Sequence, residues 1–151
     1  MAQISPAIAR ILVPTDYSET ADHALEWAIL QGRAFGAELT VLHVIPHHLH
    51  FGPMGFADRD EEGPAQDREH LAAHVAARAG DSGLKTRPLV EIGEPALKIR
   101  EVARRDQIDL IVMGTNGTSR LQDVLCGSVT EAVVHHTGCP VMVVPPRSEE
   151  A

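Results

Sequence analysis

The sequence predicts an α/β fold, a mainly parallel sheet with helices on both faces, and three observations carry that reading. Its apolar runs are short, rich in branched residues and evenly spread. The stretches between them repeat their apolar residues at helical spacing, and glycines or prolines stand where those stretches stop. Strands alternating with helices imply right-handed crossovers and a parallel sheet. Composition agrees: 151 residues suit one domain with a real core, and only 3% are aromatic. Val, Ile, Leu and Ala must build that core, as they do in strands buried on both faces.

Ile8–Val13, Leu39–Ile45, Leu89–Ile92, Leu110–Met113 and Val141–Val144 are too short for helices and read as five strands. Between the first two, Ser18 is a fitting N-cap. Ala21, Ala24, Leu25, Ala28, Ile29 and Gly32 share one face of a helix that ends near Gly36. Leu71, Val75 and Ala79 mark a second helix, ended by Gly80–Gly83. Ala96, Ile99 and Ala103 mark a third, with Pro95 in its first turn. Val129, Ala132, Val133 and His136 mark a fourth, stopped by Gly138 and Pro140. Residues 1–146 are expected to form the single domain and 147–151 a disordered tail. The long stretch from Pro46 to about Gly63 reads as a loop of the functional or mobile kind.

A formal net charge of −8 argues against a general nucleic-acid binder, which needs a basic footprint. It leaves room for a small anionic ligand held by backbone N–H groups. Two cysteines, Cys126 and Cys139, are too few for a disulfide framework, and no apolar run reaches the ~18 residues of a membrane span. With no basic-then-apolar leader at the N-terminus, the expectation is a cytoplasmic protein with reduced thiols.

The chemistry concentrates after the fourth strand. Met113-Gly114-Thr115-Asn116-Gly117 is followed by nine residues and then Gly127-Ser128-Val129-Thr130. Glycine after a strand permits a tight turn and close approach of a ligand. Gly127-Ser128 opens the fourth helix, where free N–H groups and the dipole favour an anion, and Ser128 and Thr130 add hydroxyls. One such helix-end interaction is worth only roughly 0.3–1 kcal/mol, so several must converge to hold a polyphosphate. Two readings fit: a phosphate cradle, or turn glycines with Ser128 as a helix cap. There is no Gly-Lys-Ser/Thr and no Gly-x-Gly-x-x-Gly after the first strand. Without a phosphate-binding lysine, only a bound metal would offset charge on a transferring phosphoryl group.

The spacing Gly114-x2-Gly117-x9-Gly127-Ser128 resembles the nucleotide-binding signature of the universal stress proteins, in their ATP-binding branch. The resemblance extends to Ile11-Leu12-Val13-Pro14-Thr15-Asp16, to Gly36 through Val44, to Gly93-Glu94-Pro95, to Asp109 through Gly114 and to Gly127 through Val141. It implies a Rossmann-like, adenine nucleotide alpha hydrolase-like fold with a five-stranded parallel sheet in the order 3-2-1-4-5. It implies ATP with Mg²⁺ or Mn²⁺ as ligand. Pro14, Thr15 and Asp16 would line one wall and Val41 would contact adenine. Met113, Gly114, Asn116 and Gly117 would face ribose and phosphates, and Gly127, Ser128, Val129 and Thr130 the phosphates. The last strand, Val141 to Val144, would pair across a two-fold axis into a homodimer that signals to an unknown protein partner. Where many relatives carry Arg or Lys after the second glycine, this chain has Thr118; Arg120 replaces that charge only if the loop turns it inward.

Two functions from different classes follow. One is a nucleotide-dependent stress-response or signalling module. The other is a slow ATPase or autophosphorylating enzyme, with Thr115, Thr118, Ser119 and Ser128 as candidate acceptors; no catalytic residue is assigned. His43, His47, His48 and His50 form a histidine-rich tract that suggests a transition-metal site or a chaperone role, but they lack a carboxylate or cysteine at zinc spacing, so no metal ligand is assigned. Cys126 is either a small apolar filler or a thiol activated by the fourth helix's N-terminus.

Overall fold

The computed structural model describes residues 7–47, 62–115 and 127–148. In chain order these form β1 (Arg10–Pro14), α1 (Glu19–Phe35), β2 (Glu38–Ile45), α2 (Glu62–Ala79), β3 (Thr86–Ile92), α3 (Pro95–Arg105), β4 (Leu110–Gly114), α4 (Ser128–His136) and β5 (Val141–Val144). The five strands make one parallel sheet in the order β3-β2-β1-β4-β5. Order therefore reverses between β1 and β4, where Ile11 is in register with Leu39 of β2 on one side and Leu110 of β4 on the other.

The pleat sorts the core into two layers. Ile11 and Val13 of β1 and Val41 of β2 pack with Ala24, Leu25 and Ala28 of α1 and Leu71, Val75 and Ala79 of α2. Leu12 and Leu42, one residue away, point to the other face and meet Ile99, Val102 and Ala103 of α3 and Val133 of α4. A one-residue register slip would exchange these faces, so the burial of both fixes the pairing.

Local signals set the helix ends. Ser18 caps α1, its Oγ accepting the Ala21 N–H at 3.1 Å, and Gly36 closes it in the left-handed region at φ 69°. Glu94 caps α3 by accepting the Leu97 N–H at 3.0 Å, ahead of Pro95. Three of the expected boundaries move by more than one residue. β1 begins at Arg10 because the Ala9 and Arg10 N–H groups both donate to Asp109 Oδ2, at 2.9 Å each. β3 begins at Thr86, before the apolar run, and carries Pro88 opposite Val41; an edge strand tolerates proline because its outer N–H has no partner to lose. α2 begins at Glu62, inside the stretch read as a loop. The remainder of that stretch, residues 48–61, lies outside the described residues, as do 149–151. Among the described residues no helix is long and apolar enough to cross a membrane.

Candidate functional site

The carboxyl ends of β1 and β4 separate at the order reversal, and a cleft of about 460 Å³ opens there. Open parallel sheets bind ligands at this position because the flanking connections leave on opposite faces. Pro14, Thr15 and Asp16 form one wall, and Met113, Gly114 and Thr115 the opposite one. Gly127, Ser128, Val129 and Thr130 close the end beside β4, while Leu42, Val44, Pro46, Pro95 and Ile99 make an apolar side. Two other hollows, of about 390 and 790 Å³, lie at the opposite ends of the strands. The smaller is lined by Arg10, Lys85, Arg87 and Arg105, which pair with Glu38 and Asp106, and the larger by the carboxyl end of α4 at His136–Thr137.

The β1 wall is fixed by backbone-directed bonds. The Thr15 N–H donates to Leu42 O at 2.8 Å, and His43 Nδ1–H donates to Thr15 O at 2.9 Å. The Thr15 hydroxyl accepts the Tyr17 N–H at 3.0 Å, and Asp16 Oδ1 accepts the Ser18 N–H at 3.0 Å. Tyr17 holds a left-handed φ of 64° and is packed by three imidazoles, His43 at 4.8 Å, His70 at 4.7 Å and His74 at 5.1 Å between ring centres. His74 and Arg78 of α2 each reach Asp22 of α1 at 2.9 Å, so α2 is tied to the helix that follows this wall.

The opposite end is built around the start of α4. Its N-cap is Gly127, which has no side chain to cap it. The Gly127 N–H donates to Thr115 O, and the first intrahelical bond is Glu131 N–H to Gly127 O at 3.0 Å. The amides of Ser128, Val129 and Thr130 thus have no intrahelical acceptor, and all three residues line the cleft. By contrast α1 and α3 both begin under side-chain caps. Thr130 is buried, and its Oγ1 donates to Gly114 O at 2.8 Å.

The structure thus brings together Pro14, Thr15, Asp16, Met113, Gly114, Gly127, Ser128, Val129 and Thr130. Val41 is a correction. It is fully buried on the α1/α2 face and does not line the cleft, because it lies mid-strand and points away. Val44, three residues nearer the strand end and not anticipated, lines the cleft in its place. Asn116, Gly117, Thr118, Ser119, Arg120 and Cys126 lie outside the described residues, as do His48 and His50. Among the described residues no group of three or more His, Cys, Asp or Glu side chains is arranged to hold a metal ion.

Known proteins share this fold. The universal stress protein family profile matches residues 7–145. The chain is 30% identical to universal stress protein MJ0577 of Methanocaldococcus jannaschii, over 89% of this chain and 93% of that one. It is 32% identical to universal stress protein Sll1388 of Synechocystis, over 89% and 96%. The solved structure of MJ0577 superimposes with a TM-score of 0.80 over 95% of this chain and 99% of that one, at 29% identity. Two more distant structures share the fold: a universal stress protein in complex with cAMP, at 24% identity and TM-score 0.70, and one from Archaeoglobus fulgidus in complex with dAMP, at 22% and 0.66.

Proposed function

The chain belongs to the universal stress protein family, and from that premise we propose that it is an ATP-binding module that reports nucleotide state in a stress response. The observation that carries this reading is the start of α4, without a side-chain cap among the described residues and facing the cleft between β1 and β4. Three amides and the positive end of the helix dipole converge there on space for a phosphate chain. The exposed Ser128 hydroxyl stands at the same end. The apolar side made by Leu42, Val44, Pro46 and Ile99 suits a base, and the volume falls within the range of small-molecule sites. That fold relatives are described with cAMP and dAMP supports an adenine nucleotide as the ligand class.

Among the described lining residues the ionisable side chains are Asp16 and His43, with no lysine or arginine. A site so composed holds phosphates by dipoles and leaves charge compensation to a Mg²⁺ or Mn²⁺ carried by the nucleotide. This favours retention over turnover, since phosphoryl transfer relies on positive groups around the migrating charge. β5 is an edge strand of the sheet. Its free edge, Val141–Val144, is the proposed homodimer contact.

Mass spectrometry of nucleotide released from purified protein should show ATP. Titration with Mg²⁺-ATP should raise the melting temperature, by the equivalent of about 2.7 kcal/mol at a hundred times Kd. Gly127 sits at φ −65°, which any residue adopts, so Gly127→Glu should fold normally while placing negative charge against the phosphates. Its ATP affinity should fall by roughly a hundredfold or more, about 2.7 kcal/mol of lost binding. Wild-type protein that shows no thermal shift with ATP, or a Gly127→Glu variant that binds normally, refutes the site.

A further inference from the structure

We propose that Thr130 is a positioning residue of this site, which aims the α4 amides at the phosphates rather than contacting them through its hydroxyl. The inference rests on the nucleotide reading above. Thr130 is 4% exposed, and its single hydroxyl proton is committed to Gly114 O at 2.8 Å. A hydroxyl has one donor, so none remains for a phosphate oxygen. Its bond instead joins the first turn of α4 to the last residue of β4.

A second bond runs beside it. The Gly127 N–H donates to Thr115 O, and the Thr115 N–H donates to Val144 O of β5 at 3.1 Å. Gly114 is itself held from behind, because α1 lies so close that a Cβ there would meet Thr20 Cγ2 at 2.6 Å. The strand end is therefore a fixed anchor, and among the described residues Thr130 and Gly127 are two points at which hydrogen bonds fasten the start of α4 to it. Gly127 fastens the cap, and Thr130, at the third helical position, sets the direction of the turn between. The amides of Ser128 and Val129 lie within that turn. Preorganised donors bind an anion without reorganising, whereas a loosened helix start must be ordered by the ligand.

Valine replaces threonine with nearly the same shape and no hydroxyl, and serine restores the hydroxyl. The discriminating readout is the ratio of ATP to adenosine affinity by calorimetry, because adenosine lacks the groups that the helix amides would hold. Thr130→Val should weaken ATP about fivefold to tenfold, the scale of one lost hydrogen bond. Adenosine affinity should stay within about twofold of wild type, and Thr130→Ser should return ATP affinity to within about threefold. An unchanged ATP-to-adenosine ratio in Thr130→Val, whether both affinities fall or neither does, overturns the positioning role. If Thr130→Val does not fold, Thr130→Ala is read by the same ratio. Wild-type protein that binds neither ligand overturns the nucleotide reading itself, a result distinct from failure of the Thr130 role.

Discussion

Gly114→Ala tests how the site is anchored, and its cost can be worked from the packing. An alanine Cβ at this position would stand 2.6 Å from Thr20 Cγ2 and 3.1 Å from the Thr20 carbonyl carbon and oxygen. Thr20 is a short branched side chain on the first turn of α1, with no flexible far end to swing aside. Relief therefore requires α1 to move against β4, and overpacking of this kind costs typically 1–3 kcal/mol. The expectation is about 2–3 kcal/mol, the upper part of that range, because backbone as well as side chain must shift. In a chain of this length that lowers the melting temperature by about 5–10 °C.

Equilibrium urea unfolding measures the loss directly. Thr20→Ser removes Cγ2 but leaves the 3.1 Å backbone contacts. The double variant should therefore recover only part of the loss, with a coupling energy of about 1 kcal/mol in the double-mutant cycle. Gly138→Ala is the control, since nothing lies within 4 Å of its added Cβ, and it should stay within about 0.5 kcal/mol of wild type. A Gly114→Ala variant as stable as that control, or one additive with Thr20→Ser, refutes the claim that this glycine exists for helix packing.

Tyr17→Phe should leave stability unchanged or raise it by up to about 1 kcal/mol, because the buried hydroxyl has no hydrogen-bond partner among the described residues and the ring contacts persist. Burial, then the charge of Asp67, pushes the Tyr17 phenol above its ordinary range, so it stays neutral at physiological pH; a thermal-melt loss above 1 kcal/mol would reveal a partner for the hydroxyl. Asp106 is bonded by Arg105 and Arg87, which hold its carboxyl below the usual range against the opposing effect of burial. With the folded pKa below the unfolded one, its contribution is present above an unfolded pKa of about 3.9 and is lost as pH falls through the folded value. Asp106→Asn should cost less than about 1 kcal/mol at pH 7, since both arginines are half exposed, and the gap from wild type should close on acidification; a gap that widens in acid overturns the assignment.

Periodicity carried the sheet and the helices because both core layers obey it. Odd and even residues of β1 feed different layers, so the apolar run at Ile11–Val13 is continuous, as a strand covered on both faces must be. β3 was under-read because its first residues, Thr86 to Pro88, are polar, exposed or proline at a sheet edge, where apolar pressure is weakest. Val41 and Val44 show the limit of a sequence reading of the site. Both are branched residues of one strand, and pleat alone cannot say which end of a strand meets a ligand. A signal was available: parallel sheets bind at strand carboxyl ends, and β2 ends at Ile45, next to Val44 and four residues past Val41. Gly114 lines the cleft, and the side where a Cβ would stand is filled by Thr20, a packing reason for glycine that the sequence does not display. That contact joins residues 94 positions apart and leaves no local trace in the sequence.

The charge balance around the cleft yields a last prediction, about rate rather than affinity. The chain carries −8 overall, and the lining side chains described include no lysine or arginine. What attracts phosphate is a helix end, whose influence fades within a turn; what repels it is net charge acting across a Debye length, about 30 Å at 0.01 M salt and about 10 Å at 0.1 M. An incoming nucleotide therefore meets repulsion before it meets the amides. Stopped-flow association of a fluorescent ATP analogue, at saturating free Mg²⁺, should accelerate a few-fold as salt rises from about 10 to 100 mM, the reverse of ordinary electrostatic steering. A rate that falls with salt would mean that a cation guides entry. Arg120 is the first residue to test in that event, because it belongs to the connection between Thr115 and Gly127. Arg120→Ala would then restore a rate that rises with salt, and phosphate recognition would rest on that side chain as well as on the start of α4.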